Sequence, residues 1–383
     1  MESTYSYIVK IIRYVLCGQA FELGADTDFQ RIYECSKRHG IENIVYVGLK
    51  DLNAPVPCEI MAKLEEEYQK AIMTEAVQAI ELENLSSQFD EAGIDHIPLK
   101  GSVIKYLYPM PDFRKSGDID ILIKPADEKT AMDIIAGDGY SLIEDGDAHD
   151  IHISCFKPPM MLIEIHRALV RNKNRAYGFC SGVWENVSLC EGTKHRYKMS
   201  DEFLYVYLLA HLSKHISTGG AGIRLIADMY FANNKLDLDS DKLNLFLEKA
   251  QLTDINKMVL KLTARWFDGV YENDASTDIL ENLVLTGGSF GNTETKKIID
   301  GNISKRKRIS RFFKMIFPSK TSLLGKYPVL KRHGFLLPLV WIHRAFILLL
   351  FKRNSVMADI KENFDVQDID NEYSELFKAV CDQ

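Results

Sequence analysis

The chain has 383 residues, long for one compact core, so two or three packed units are expected. Its composition, 46% hydrophobic and 26% charged, excludes a disordered or collagen-like chain. The net charge of -7 conceals an asymmetry: residues 304–358 hold 13 Lys or Arg and no acid, leaving 34 basic and 54 acidic residues elsewhere, a balance that excludes indiscriminate coating of nucleic acid.

Apolar spacing of three and four in IVKIIRYVL, NIVYVGL and the long run from Cys58 to Gly93 predicts an N-terminal helical segment over 1–92. The first twenty residues lack a basic region, a continuous apolar core and a small-residue cleavage site, so they read as an amphipathic helix. From Gly93 the period changes. HIPLKG reads as a short strand, SVIKYLYP as a short helix, SGDIDILIKP as an alternating strand closed by Pro125, and ADEKTAMDIIAGDGY as a helix. HDIHISCFK and MMLIEIHRAL flank Pro158-Pro159 as two candidate strands of a hairpin. The α/β core therefore spans 93–198. Helical spacing returns in SDEFLYVYLLAHLSKHI, GIRLIADMYFANN and DKLNLFLEKAQ, giving a helical domain over 199–303 and a basic, apolar helical region over 304–383. The expected class is α+β, a small mixed sheet between helical segments. Seven scattered cysteines with no C-x-x-C pair point to free thiols and a cytoplasmic setting.

On a strand, residues two apart face one side, so Asp118 and Asp120 project together while Ile119, Ile121 and Ile123 face the other. The same parity in MLIEIHR sends Glu164 and His166 away from Ile163 and Ile165. Three carboxylates so placed suit a hard cation that takes the rest of its shell from water and phosphate, Mg²⁺ or Mn²⁺. LKGS supplies a complementary feature: Gly101 permits close backbone approach, and Ser102 begins a helix whose free N–H groups attract anions. Lys100 and Arg114 are available to neutralise phosphate charge.

These motifs resemble the uncharacterised nucleotidyltransferases of the DNA polymerase beta superfamily. The likeness rests on LKG, Tyr108-Pro109, Arg114, GDIDILI, IEIHRAL, AHLSKH and RLIADMYF, and extends through FPSK and KYPVLKRHGFLLPLVWIHRAF, covering roughly residues 90 to 350. A departure from compact members is the spacing of fifteen residues between Ser102 and Asp118. The resemblance implies metal-dependent transfer of a nucleoside monophosphate from a nucleoside triphosphate, ATP by expectation, to an unidentified acceptor with release of pyrophosphate. It implies Asp118, Asp120 and Glu164 as catalytic metal ligands and Lys100, Gly101, Ser102 and Arg114 as nucleotide-binding residues. The rival readings are a nucleotide-binding scaffold without turnover and a carboxylate-metal phosphohydrolase.

His211 and His215, four apart on one helical face, are read with His166 as an acceptor pocket or as interhelical hydrogen-bonding residues rather than as a zinc site. Arg224 and Asp228 share the same spacing and read as an ion pair. FLLPLVWIHRAFILLLF at 335–351 is short for a membrane span and has His343-Arg344 at its centre. It is expected either to pack on the domain or, with the cations of 304–353, to lie on an anionic membrane surface. Nucleic acid is not an expected partner, because no nucleic-acid-binding fold surrounds KRKRISRFFK.

Overall fold

The computed structural model describes residues 4–143, 151–159, 161–218, 220–288, 327 and 333–341. Most of the basic region 304–383 lies outside the described residues, as does 342–351 of the expected surface helix; within that run 337–341 is helical, with Phe335 and Leu339 exposed and Val340 buried.

Four helices open the chain: α1 (Thr4–Cys17), α2 (Phe29–His39), α3 (Glu42–Asp51) and the 35-residue α4 (Cys58–Ala92). Asp28 caps α2 by accepting from the Arg31 backbone N–H. Gly93, at φ 74°, ends α4 in the left-handed conformation that a side chain would disfavour.

The sheet follows. Strands β1 (His96–Pro98), β2 (Ile119–Ile123), β3 (Ser141–Leu142), β4 (His152–Lys157) and β5 (Met161–His166) lie in the order β1-β2-β5-β4-β3. The β2–β5 pair is parallel and the other three pairings are antiparallel, so the fold is α+β with a mixed sheet. Between β1 and β2 runs the four-residue α5 (Gly101–Ile104), and α6 (Glu128–Gly137) follows β2. A short α7 (Tyr177–Cys180) leads to a separate two-stranded ribbon, β6 (Val187–Leu189) with β7 (Tyr197–Met199). Then come α8 (Asp201–Ser217), α9 (Ile223–Lys235), α10 (Ser240–Ala250), α11 (Thr253–Thr263) and α12 (Ala275–Gly287).

Two large apolar cores result among the described residues, with a small cluster in which Val340 packs against Tyr327, Leu336, Leu337 and Trp341. One face of the sheet, carrying Ile119, Ile121, Ile123, Ile163 and Ile165, packs on Leu82, Leu85 and Phe89 of α4 and on Ala131 and Ile135 of α6. The other core joins Ile8, Ile11 and Ile12 of α1 to α3, to α8 and to Trp266 and Phe267, and it also takes in Ile97 and Leu122 of the sheet. Residues at opposite ends of the described chain thus share one interior; Arg13 donates to the Arg265 and Trp266 carbonyls. Strand β2 is buried on both faces, because its acid-bearing side is covered by the helices that follow the sheet. Alternation in its sequence therefore marks chemistry rather than a wet face.

Candidate active site

Asp118 immediately precedes β2, and the parallel register sets Asp120 directly beside Glu164. Since Ile119, Ile121, Ile163 and Ile165 occupy the core face, the three carboxylates share the other. One oxygen from each lies within 4.8 Å of the other two. They floor a cleft of about 580 Å³ whose facing wall is built by His211, Lys214 and His215 of α8 and by Gly222, Arg224 and Leu225 at the start of α9. That volume falls in the range of small-molecule sites.

A dense polar network fixes the floor. Lys100 Nζ lies 2.7 Å from Asp120 Oδ1, and His166 Nε2 lies 2.6 Å from the same oxygen and 3.3 Å from Glu164 Oε2. Lys100 reaches Asp120 from a backbone at φ 44°, a conformation that costs a non-glycine residue on the order of 1 kcal/mol. Gly101 must be glycine for a different reason: a Cβ there would stand 2.5 Å from Ser116 Oγ and 3.1 Å from an Arg114 Nη.

The acids differ in their protonation. Burial would raise Asp120, but the His166 hydrogen bond and the Lys100 charge hold it well below the ordinary carboxylate range. Burial and the adjacent Asp120 push Asp118 up to about 6, with Glu164 adding to the rise and Lys100 opposing it. His166 is weakened as a base by burial, yet its hydrogen bonds to Asp120 and Glu164 raise it overall. The cluster therefore carries more negative charge than Lys100 and His166 offset, and the excess appears at Asp118. An all-oxygen set with such an excess fits Mg²⁺ or Mn²⁺, whose charge would remove the penalty on ionising Asp118. His152, Glu164 and His166 form a second grouping with ligand atoms within 4.8 Å of one another. His152, which the sequence marked only as part of a strand, lies with Nε2 3.6 Å from Glu164.

Several sequence expectations change at this point. Ser102 is buried and does not line the cleft; its N–H donates to the Leu99 carbonyl, and α5 is too short to present an array of free N–H groups. Lys100, Gly101 and Arg114 do line the cleft, but the Lys100 charge is engaged by Asp120. Arg114 is engaged too: its Nε and Nη2 donate to the two oxygens of Asp228, at 3.0 and 2.7 Å, and the Tyr108 hydroxyl donates to Asp228 at 2.7 Å. Asp228 accordingly pairs with Arg114 and not with Arg224, four residues away on its own helix. His166 belongs to the acid network, whereas His211 and His215 sit on the facing wall with ring centroids 4.5 Å apart. Burial lowers both rings, His215 to about 4, so both are neutral at pH 7.

A family model described as "Uncharacterised nucleotidyltransferase" matches residues 25–268, well over half of the chain. No curated protein matches significantly. Among solved structures, the solution structure of the antibiotic-resistance factor ANT(2'')-Ia is similar at a TM-score of 0.35 and 14% identity, covering 49% of this chain and 96% of that one. A likeness that slight carries no inference.

Proposed function

The chain belongs to the uncharacterised nucleotidyltransferase family, and on that premise we propose that it moves a nucleoside monophosphate from ATP to an acceptor hydroxyl with release of pyrophosphate. The observation that carries this reading is the convergence of Asp118, Asp120 and Glu164 on one cleft floor. These three residues would hold Mg²⁺ or Mn²⁺, which when bound offsets phosphate charge and makes an acceptor hydroxyl easier to ionise. The protein's own residues do the rest. Glu164, flanked by His152 and His166, takes the acceptor proton. The acceptor oxygen bonds to the α-phosphorus as the bond to the bridging oxygen breaks, and pyrophosphate leaves with that electron pair. Lys100 and His166 fix Asp120 in one orientation while this happens.

In this reading residues 93–198 bear the reacting centre and 199–303 supply the facing wall, where neutral His211 and His215 line the acceptor pocket. No helix among the described residues is long and apolar enough to cross a membrane. We place the protein in the cytoplasm, with peripheral contact to anionic lipid through 304–353.

The test is pyrophosphate release from ATP with Mg²⁺ or Mn²⁺ against a panel of hydroxyl-bearing acceptors, with Asp118→Asn and Glu164→Gln as controls. Acceptor-dependent pyrophosphate release abolished in both variants is expected. Phosphate release with water as the acceptor would favour a phosphohydrolase, and nucleotide binding without turnover a scaffold.

A further inference from the structure

Two guanidinium groups and one carboxylate meet on the α9 side of the cleft. An Arg114 Nη and an Arg224 Nη both donate to the Lys115 carbonyl oxygen, at 3.0 and 2.7 Å. Two like charges are therefore neighbours. Asp228 is the acid beside them, and its hydrogen bonds go to Arg114 and the Tyr108 hydroxyl. Among the described residues no carboxylate lies within ion-pair distance of Arg224, and its Nε is buried without a hydrogen-bond partner. Burial and the adjacent Arg114 pull the guanidinium down to about 10, with the charge of Asp228 opposing the fall. A half-buried cation whose Nε is cut off from water and from any acceptor is costly, and structures keep one where a ligand supplies the missing charge.

The direction of that missing charge is set by what Arg224 touches. It lines the cleft beside Asp118, Lys100 and Gly101, and the segment it grips through Lys115 leads directly into Asp118. Its hydrogen bond to the Lys115 carbonyl seats it against the β1–β2 connection. The other cations lining the cleft are less suited to the role. Lys100 is engaged by Asp120, Arg114 by Asp228, and Arg171, Lys173 and Lys214 are exposed.

We propose that Arg224 grips the phosphate chain of the bound nucleotide, the role that the sequence alone assigned to Arg114. The inference rests on the nucleotidyltransferase reading for the identity of the ligand. Arg114 then serves as a positioning residue: with Asp228 it anchors the 114–117 segment to α9 and holds Arg224 at the cleft wall. A planar guanidinium offers several donors to phosphate oxygens, so one residue can span two neighbouring phosphoryl groups.

Calorimetric titration of the full chain with inorganic tripolyphosphate and with Mg²⁺-ATP tests this, on wild type, Arg224→Gln and Arg224→Lys. Wild type should bind both ligands. Arg224→Gln should weaken each at least tenfold, with Arg224→Lys recovering part of the loss, while the ligand-free melting temperature of Arg224→Gln equals or exceeds that of wild type. Binding of either ligand by Arg224→Gln within twofold of wild type would overturn the proposal. So would a ligand-free Arg224→Gln protein that melts well below wild type, since that marks a structural arginine. Should wild type and variants bind as expected while wild type transfers no nucleotide to any acceptor, the catalytic reading fails and the phosphate site stands.

Discussion

Asp118 is held at a disadvantage by its own site. Its carboxyl is raised to about 6 from 3.8 by burial and by Asp120, so ionising it at pH 7 costs the native state on the order of 2–3 kcal/mol. The native state binds more protons than the unfolded chain between those two values, and this contribution falls as pH rises through that window. Asp118→Asn removes the charge at nearly constant volume. Thermal denaturation at pH 7 should find it at least as stable as wild type without metal; Mg²⁺ should raise the melting temperature of wild type and leave the variant unchanged. A variant that gains as much from Mg²⁺ as wild type would remove Asp118 from the metal site. The placement of the three acids was legible from strand parity, since GDIDILI and MLIEIHR each alternate a branched apolar side with a polar one. The partners of Lys100 and Arg114 were not. Both were assigned to phosphate from position near LKGS, whereas an ion pair between Arg114 and Asp228 joins residues 114 apart in sequence, a separation that no local pattern encodes.

Among the elements, helices α1, α3, α4, α8, α9 and α10 and strands β2, β4 and β5 were readable because their apolar residues recur with the period of the element. The ribbon β6–β7 has no such signal in three-residue strands, and the short α5 looked like an anion-binding helix because sequence does not reveal length well. What joins these elements is polar. Asp228 ties α9 to the β1–β2 connection, and Asp228→Asn would leave the buried Arg114 beside the half-buried Arg224 without their carboxylate. A loss of about 3–5 kcal/mol is expected in denaturant unfolding, with tripolyphosphate restoring more stability to the variant than to wild type. His39 ties α2 to two later helices: its Nε2 lies 3.1 Å from the Leu285 carbonyl and its Nδ1 accepts from the Ile223 N–H. Burial lowers it to about 4, against the pull of the Leu285 carbonyl. Here the unfolded chain binds the extra proton, so stability is complete above about 6.5 and falls as pH drops toward 4, by about 3 kcal/mol for this residue. His39→Gln should flatten that part of the unfolding profile between pH 6.5 and 4; a profile as steep as wild type would assign the slope to other groups.

For the whole molecule, the described core closes on itself through long-range contacts, with α1 seated against Trp266 and Phe267, while the chain's basic charge is concentrated elsewhere. Residues 304–358 carry 13 cations and no acid, next to the apolar run FLLPLVWIHRAFILLLF. A chain with an excess of 20 acidic over basic residues outside that stretch should be repelled by anionic lipid everywhere but there. Each Lys or Arg near such a surface contributes about 1 kcal/mol and is screened by salt over a Debye length of about 8 Å at physiological ionic strength. Replacing Lys305, Arg306, Lys307 and Arg308 with Gln should therefore weaken binding by as much as about 4 kcal/mol at low salt, roughly three orders of magnitude. Sedimentation with phosphatidylserine-containing and neutral vesicles measures it. Binding should be confined to the anionic vesicles, should fall as salt rises, and should be lost in the quadruple variant while its ATP binding is kept, because the phosphate site is proposed at Arg224, which lines the cleft. Absence of wild-type binding to anionic vesicles at low salt would reject the membrane contact and leave the apolar run as a packed part of the protein.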